Sequence, residues 1–160
     1  HTLLVHRLDM DTSGIMLFAR SPEVQRELSM QFERRSIKKR YVALLEGELT
    51  DNQGEVQLPI RKDMTQSLPP RHIVDHQHGK SAHTKWSVIE RYNNRTKVYL
   101  YPLTGRSHQL RVHMFEIGHS IIGDPIYGDA DERLMLHAEQ IILKHPIDEH
   151  MIELESPPPF

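Results

Sequence analysis

The chain has 160 residues, 38% of them hydrophobic, with a formal net charge of −2 and no cysteine. These values suit one domain with its own core, and they exclude disulfides, cysteine zinc sites and thiol catalysis. No stretch is apolar and long enough to cross a bilayer. The lack of cysteine leads us to expect a reducing compartment, the cytoplasm. The chain begins without methionine, with residues typical of a strand, so we expect a fragment whose upstream strands are missing.

The first complete elements predicted are a strand and a helix. Residues 12–20 (TSGIMLFAR) are rich in strand-forming side chains. Residues 21–23 (SPE) supply a cap, a proline for the first helical position and an acidic group for the first turn, which together predict a helix start. We expect this helix to run to about Arg35, because apolar side chains recur at helical spacing at Val24, Leu28 and Phe32.

Further strands are predicted along the rest of the chain. Composition and alternation place them at residues 40–48, 54–58, 83–92, 96–103, 136–144 and 150–155. Asn93 and Asn94 are expected to form the turn of a hairpin. Residues 59–80 lack apolar periodicity, so we expect a long loop with extended pieces there.

A second helix is predicted after the last hairpin. Ser107 is expected to cap it and Gly118 to end it, with Leu110, Met114 and Ile117 on its apolar face. Hairpins dominate, and no linker or internal repeat divides the chain. We therefore predict a single α+β domain with a mixed, largely antiparallel sheet and two principal helices.

The first segment whose side chains could carry out chemistry is residues 6–14 (HRLDMDTSG). It places cationic, acidic and hydroxyl side chains in a loop that leads into an apolar strand, a position suited to a catalytic group. The alternative is a polar turn in which Asp9 or Asp11 binds nearby backbone amides, and the local pattern alone favours that alternative. The spacing of the two carboxylates does not establish a glycoside hydrolase either, because a loop leaves their directions open.

The second such segment is residues 104–113 (TGRSHQLRVH), at the predicted start of the second helix. Free backbone amides and the helix dipole favour anions there. The side chains able to donate hydrogen bonds are Arg106, His108, Gln109 and Arg111. Their spacing distributes them around the first turns, so they cannot all face one site. An ordinary capped helix with a solvated basic end is the alternative, but the composition favours a phosphate or carboxylate partner.

Histidine is abundant, with twelve residues in the chain. His72, His76, His78 and His83 lie close together, but in a proline-containing region without a recurring carboxylate pattern. Metal-binding histidines normally come with further ligands at fixed spacing, so we predict no metal site. A metal-dependent hydrolase built on these histidines is a competing hypothesis, and it predicts loss of activity with chelators.

Several segments together resemble the RluA family of RNA pseudouridine synthases. They follow the family's order: HRLD at 6–9 with TSG at 12–14, KKRYV at 38–42, TGRSHQLRVH at 104–113, GDPIYG at 123–128, LHA at 136–138 and SPP at 156–158. The resemblance implies a pseudouridine synthase catalytic domain over residues 1–160, without the strand that precedes the aspartate motif in the family. The chain is similar to small members that act on large-subunit ribosomal RNA, including one that also modifies a tRNA anticodon stem-loop.

The resemblance implies three catalytic residues. Asp9 corresponds to the nucleophile, Arg111 to the arginine that pairs with it, and Tyr41 to a tyrosine whose ring stacks on uracil. A neighbouring guanidinium favours the ionised carboxylate and fixes its direction. Leu110 corresponds to an apolar position near the target base. The alternative for Tyr41 is a strand residue with its ring in the core. Attack at ribose C1′, addition at uracil C6 and a glycal route all remain open.

The resemblance also implies contacts with RNA. The target uridine must leave its stack, and Arg7 is suited to fill the vacated space or to hold the flanking phosphate. Arg106, His108 and Gln109 are expected to contact the RNA backbone or base edges. The basic run at residues 34–40 would add salt-dependent phosphate contacts, with a solvated helix end as the alternative.

The expected substrate is a structured loop of 23S ribosomal RNA, a tRNA stem-loop or both. The reaction is an isomerisation that needs no cofactor, and we expect a monomer. An RNA-binding domain without catalysis is the competing hypothesis from another class, and the complete set of Asp9, Tyr41 and Arg111 disfavours it.

Overall fold

The structure is a computed structural model that describes residues 2–160. His1, at the start of the first predicted strand, lies outside the described residues. The strands of this range are β1 (Leu3–Leu4), β2 (Ser13–Gly14), β3 (Phe18–Ala19), β4 (Lys38–Glu46), β5 (Gln53–Val56), β6 (Ile60–Lys62), β7 (His72–Val74), β8 (Thr84–Tyr92), β9 (Arg95–Pro102), β10 (Leu136–Lys144) and β11 (Met151–Glu155). The helices are α1 (Pro22–Glu33) and α2 (Gln109–Glu116). No helix among residues 2–160 has the length and apolar character needed to cross a membrane.

The main sheet has the strand order β11-β10-β4-β9-β8-β5. Every pairing along this order is antiparallel, while β2 adds a parallel pairing to β10. The short pairs β1-β3 and β6-β7 lie outside this sheet and are antiparallel. The predicted α+β class, with a mixed and largely antiparallel sheet and two principal helices, is therefore confirmed.

Helix α1 begins as its sequence predicts. The Ser21 hydroxyl accepts a hydrogen bond from the backbone N–H of Val24 at 3.3 Å, and a proline follows the cap. The helix ends slightly before Arg35, which adopts a left-handed conformation with φ of 59°. Its buried side chain Leu28 packs with Ile141 and other apolar residues of β10 and the neighbouring segments. This packing holds α1 beside the sheet.

Helix α2 packs on a second apolar cluster. Its Met114 is fully buried with Leu45 of β4 and with Val98 and Leu100 of β9. Burial of each such side chain contributes about 1.5–3 kcal/mol. The cluster therefore holds α2 rigidly against the sheet, and this position determines where the helix presents its polar side chains.

The start of α2 corrects one prediction, because Ser107 is not its cap. The helix begins at Gln109, and His108 precedes it in a left-handed conformation with φ of 57° and no side-chain cap. The Gln109 amide oxygen instead accepts hydrogen bonds from the Thr104 hydroxyl at 2.5 Å and from the Arg106 backbone N–H at 3.0 Å. The side chain of the first helical residue thus fixes the N-terminal end of α2 by accepting hydrogen bonds from the segment that precedes the helix.

The predicted strand at residues 12–20 is divided into two short strands, β2 and β3. Gly14 has φ of 118°, and a Cβ there would lie 2.2 Å from the carbonyl oxygen of Ala138. The chain can approach β10 this closely only because residue 14 has no side chain. Outside this region each predicted strand is present within two residues of its expected bounds, and the extended pieces of residues 59–80 form the β6-β7 pair.

Candidate active site

A cleft of about 1850 Å³ lies between the loop that leads to β2, strand β4, the β6-β7 pair and the segment before α2. Basic side chains outnumber acidic ones on the described part of its wall. The basic residues are Arg7, Arg35, Lys38, Lys39, Lys85, Arg106 and Arg111, and the acidic residues are Asp9, Asp11 and Glu33. The chain as a whole has a net charge of −2. Positive charge is therefore concentrated in this cleft, as a polyanionic ligand requires.

Asp9 and Arg111 meet in this cleft although 102 residues separate them in sequence. Arg111 Nη1 donates to Asp9 Oδ2 at 3.3 Å, and the two side chains are 4% and 24% exposed, respectively. The Asp9 loop is held by a turn, in which the backbone N–H of Thr12 donates to the carbonyl of Asp9 at 3.0 Å. A partly exposed carboxylate thus stands at the cleft with its direction set by a buried guanidinium.

The carboxylate of Asp124 binds the other edge of the Arg111 guanidinium. Arg111 Nε and Nη2 donate to the Asp124 carboxylate at 2.9 and 2.8 Å. The backbone N–H groups of Ile126 and Tyr127 also donate to Asp124 Oδ1, at 3.0 and 3.2 Å. Although burial acts in the opposite direction, the hydrogen bonds and charge of Arg111 keep the pKa of Asp124 below its usual value. Asp124 therefore stays ionised and fixes the plane of the guanidinium.

Tyr41 lies on β4 beside a small recess of about 90 Å³ that Asp9 and Leu110 also line. Burial, with a further contribution from the Asp9 charge, raises the pKa of Tyr41 to about 12. Its hydroxyl is therefore protonated at neutral pH. The recess combines a carboxylate, an aromatic ring and an apolar side chain, a combination suited to a flat base.

Tyr127 connects the β6-β7 pair to the start of α2. Its hydroxyl accepts from the backbone N–H of His72 at 2.8 Å and lies 2.7 Å from His108 Nδ1. Burial lowers the pKa of His108, which favours the neutral ring, and its Nδ1 shares a hydrogen bond with the Tyr127 hydroxyl. The Tyr127 ring also lies 5.3 Å from the Arg111 guanidinium carbon.

The other predicted RNA contacts differ in their surroundings. Arg7 is exposed at the cleft, and Arg106 lines it while its Nε donates to the carbonyl of Ser81 at 2.8 Å. Gln109 is 4% exposed, and its amide nitrogen donates to the carbonyl of His83 and to the Thr84 hydroxyl. Both ends of the Gln109 amide are thus used inside the protein. Gln109 therefore supports the segment before α2, and its expected contact with RNA stays a prediction.

The basic run at residues 34–40 does not act as one surface. Arg40 pairs with Glu139 at 3.1 Å and lies over the Tyr99 ring at 4.5 Å, so its charge is already used. Lys39 is half-buried and points into the cleft, whereas Arg34, Arg35 and Lys38 are exposed. Successive side chains of a strand point to opposite faces, so Lys39 and Arg40 of β4 lie on different faces of the sheet.

The four histidines between residues 72 and 83 do not come together as a set of metal ligands in the described part of the chain. His72 packs edge-on against His108, and His83 pairs with Glu55. A group that sequence reasoning missed is His145, Asp148 and His150, whose ligand atoms lie within 4.8 Å of one another. His145 Nδ1 there accepts backbone hydrogen bonds from residues 147 and 148, so the hairpin turn accounts for its position.

Sequence reasoning also gave no role to Asp124 and Tyr127, and it gave Lys39 only a share in the phosphate contacts expected of the basic run. The first two belong to the GDPIYG segment at residues 123–128, and Lys39 belongs to the basic run. Their function becomes apparent only from the contacts with Arg111 and from the shape of the cleft. Together, fold and site define an α+β domain that presents an oriented carboxylate in a basic cleft.

Comparisons with known proteins identify the family. The family profile described as RNA pseudouridylate synthase matches residues 1–116. The dual-specificity RNA pseudouridine synthase RluA of Pasteurella multocida (strain Pm70) is 47% identical over 161 residues, covering 97% of this chain and 73% of that protein. The protein of the same name from Escherichia coli (strain K12) is 41% identical over 162 residues, covering 98% and 73%. This chain therefore belongs to the RNA pseudouridylate synthase family, and the resemblance to RluA is confirmed.

Solved structures agree with this assignment. Human RNA Pseudouridylate Synthase Domain Containing 1 aligns with a TM-score of 0.89 at 31% identity, covering 100% of this chain and 70% of that chain. Human RNA Pseudouridylate Synthase Domain Containing 4 aligns with a TM-score of 0.81 at 26% identity, covering 99% and 72%. The sheet and helices described above are thus those of pseudouridylate synthase domains.

Proposed function

We propose that this protein isomerises uridine in RNA to pseudouridine, with Asp9 as the nucleophile. The observation that carries the proposal is the Asp9–Arg111 pair, 3.3 Å between Oδ2 and Nη1, beside Tyr41 in a basic cleft. Family membership supports the reaction, and the geometry supports the choice of Asp9 over Asp11. Asp9 has an oriented guanidinium partner, whereas Asp11 is exposed and forms no ion pair within residues 2–160.

The chemistry needs an ionised carboxylate close to the nucleoside. The bond from ribose C1′ to uracil N1 breaks, the base turns, and C1′ joins C5. The C5 proton is then lost and N1 gains a proton, so that the composition of the RNA is unchanged. Asp9 assists by attack at C1′, by addition at C6 or by removal of a ribose proton, and these three routes stay open.

Arg111 and Tyr41 have distinct parts in this proposal. Arg111 directs Asp9 toward the recess, since two edges of its guanidinium are engaged by the carboxylates of Asp9 and Asp124. The Tyr41 ring stacks on the uracil, and its hydroxyl, which is protonated at rest, relays the C5 proton by passing its own proton on as it accepts the one from C5. Leu110, which lines the same recess, supplies an apolar contact to the base.

We propose RNA loops as the substrate, from 23S ribosomal RNA, from a tRNA stem-loop or from both. The relatives named dual-specificity RNA pseudouridine synthase support two RNA classes. A loop uridine is easier to extrude than one in a duplex, and the exposed guanidinium of Arg7 is available to fill the vacated position. We further propose that the protein acts as a monomer in the cytoplasm, because a base-flipping site needs no second subunit and the absence of cysteine fits a reducing compartment.

The proposal is tested with two transcripts, one carrying 23S ribosomal RNA loops and one carrying tRNA anticodon stem-loops. Each is incubated with the protein, and pseudouridine is mapped by a chemical adduct and primer extension. We expect modification at defined loop uridines, with and without a chelator. RNA binding without any pseudouridine would favour the non-catalytic RNA-binding domain instead, and loss of activity with the chelator would favour a metal-dependent enzyme.

A further inference from the structure

Lys39 is a charged side chain of the cleft that the roles above do not use. It lies on β4 two residues before Tyr41, so the two side chains point to the same face, about 7 Å apart along the strand. Lys39, Tyr41 and Asp9 all line the same recess. An ammonium group therefore stands beside the place where the target nucleotide has to bind.

The Lys39 ammonium has no anionic partner in the part of the chain that the structure describes. Within residues 2–160 no carboxylate forms an ion pair with it, and burial lowers its pKa. Burial, together with the Lys39 charge, also lowers the pKa of nearby His6 to about 4, so His6 stays neutral. A half-buried cation with no counter-charge is costly unless a ligand supplies one.

The wall opposite Lys39 is open because residue 105 is glycine. A Cβ built at Gly105 would lie 3.7 Å from Lys39 Nζ, with no other atom nearby within 4 Å. The following backbone N–H, at Arg106, is held by the Gln109 amide oxygen at 3.0 Å. A side chain at residue 105 would therefore stand in contact with the Lys39 ammonium, and the gap beside Gly105 is the part of the recess that the missing side chain leaves free, bounded by a fixed backbone.

We propose that Lys39 Nζ binds a non-bridging oxygen of a phosphodiester that flanks the target uridine, in the gap beside Gly105. The inference rests on the proposed function, since it takes the substrate to be RNA. A phosphate brings the negative charge that the ammonium lacks, whereas a uracil carbonyl does not. Such a contact fixes the register of the nucleotide over Asp9 without reading its sequence.

The first test measures single-turnover kinetics with a stem-loop substrate at several salt concentrations. Lys39→Met is expected to raise the half-saturating protein concentration about tenfold. The slope of log affinity against log salt should fall by about 0.7–0.9, the loss of one phosphate contact. Lys39→Arg, which keeps the charge, should retain most of the affinity. The matched control is Lys144→Met on the β10–β11 hairpin, where the lysine is 51% exposed, and it should behave as the wild type.

The second test identifies the phosphate. Each phosphodiester flanking the target uridine is replaced in turn by an uncharged methylphosphonate. At one position the replacement should weaken RNA binding by the wild-type protein about as much as Lys39→Met does. The same replacement should weaken RNA binding by Lys39→Met only a little further. Gly105→Val, which fills the gap, should give a similar loss in a protein that melts normally.

The proposal would be overturned if the affinity losses from Lys39→Met and from the methylphosphonate were additive at every flanking phosphate. Wild-type affinity and salt dependence in Lys39→Met would overturn it as well. These results are distinguishable from failure of the proposed function. In that case the wild-type protein itself forms no pseudouridine, whereas failure of the Lys39 contact leaves wild-type turnover intact.

Discussion

Asp124 binds the Nε–Nη2 edge of Arg111 and leaves Nη1 as the nitrogen that reaches Asp9. Asp124 is fully buried and is itself held by two backbone N–H groups. The direction in which Arg111 points is therefore set from behind, by a carboxylate that does not line the cleft. A guanidinium without this support would be free to turn away from Asp9.

Asp124→Asn should reduce turnover while RNA affinity changes little. The amide cannot accept both guanidinium hydrogen bonds, so Arg111 loses its fixed plane. Groups that support a reactive side chain in this way are typically worth about 10–100-fold, and we expect a fall of that size in the single-turnover rate at saturating protein. The free energy of unfolding should fall by about 3 kcal/mol, because one partner of a buried ion pair is lost.

The control for this variant is Asp131→Asn, which changes an exposed aspartate and should leave both rate and stability unchanged. A folded Asp124→Asn protein with the wild-type rate would show that Arg111 needs no support from Asp124.

Tyr41→Phe should separate base stacking from proton movement. The ring is retained, so we expect RNA affinity within about threefold of the wild type, since aromatic stacking carries the contact. Because burial raises the pKa of Tyr41 to about 12, the lost group is a neutral hydroxyl. Its removal should slow the reaction about 10²–10⁴-fold if it moves the C5 proton.

The same cleft offers a matched control, because Tyr101 also lines it. Tyr101→Phe should keep the wild-type rate of tritium release from RNA labelled at uridine C5. Equal rates for Tyr41→Phe and the wild type would limit Tyr41 to stacking.

Local signals in the sequence predicted the fold well. The cap of α1 depends on Ser21 and Pro22, which act within one turn of the helix, and the strands follow from alternation over a few residues. The start of α2 was misplaced because Gln109 closes it from inside the helix, an interaction that the usual cap preferences do not describe. The division of residues 12–20 depended on the approach of Gly14 to β10, which is a tertiary contact.

The site was less accessible to local reasoning. The pattern around Asp9 favoured a simple turn, and only the ordered resemblance to a family connected it with Arg111. Asp124 lay within a recognised segment, but its role depends on a tertiary pairing with Arg111. Lys39 and Arg40 are adjacent in sequence and similar in charge, yet only the structure shows that Arg40 is paired with Glu139.

Gly14→Ala should destabilise the protein near the active site. A methyl group at this position meets the Ala138 backbone at 2.2 Å, and φ is 118°. We expect the free energy of unfolding to fall by more than about 2 kcal/mol, because strain and overpacking combine. The control is Gly118→Ala, where φ is also positive but no atom lies within 4 Å.

Gly118→Ala should cost only about 1 kcal/mol, the penalty of a left-handed backbone. Urea denaturation of both variants measures the difference. Equal losses would mean that the close approach to β10 carries no cost.

Acid should destabilise the protein partly through His6. Its ring Nε2 accepts a hydrogen bond from the backbone N–H of Leu17 at 2.7 Å, and burial, with the charge of Lys39, lowers its pKa to about 4. The unfolded chain therefore binds a proton near pH 6.5 that the folded protein does not bind until about pH 4. Stability from His6 is complete above pH 6.5 and is lost as the pH falls toward 4.

His6→Gln should reduce this pH dependence by about 1–2 kcal/mol, less than the full shift would give, because solvent screens the partly exposed ring. Glutamine keeps an acceptor for Leu17 but does not titrate. Denaturation at pH 7 and pH 4 measures the difference, with His76→Gln at an exposed position as the control. An unchanged slope in His6→Gln would show that other histidines carry the acid sensitivity.

The central claim is that Asp9 is the nucleophile, and single-turnover tritium release from RNA labelled at uridine C5 tests it most directly. Asp9→Asn should lower the rate by at least about 10⁴-fold, while the protein still folds and binds RNA. Asp11→Asn, two residues away and exposed at the same cleft, should stay within about threefold of the wild type. Wild-type release by Asp9→Asn, or an equal loss in Asp11→Asn, would contradict the assignment.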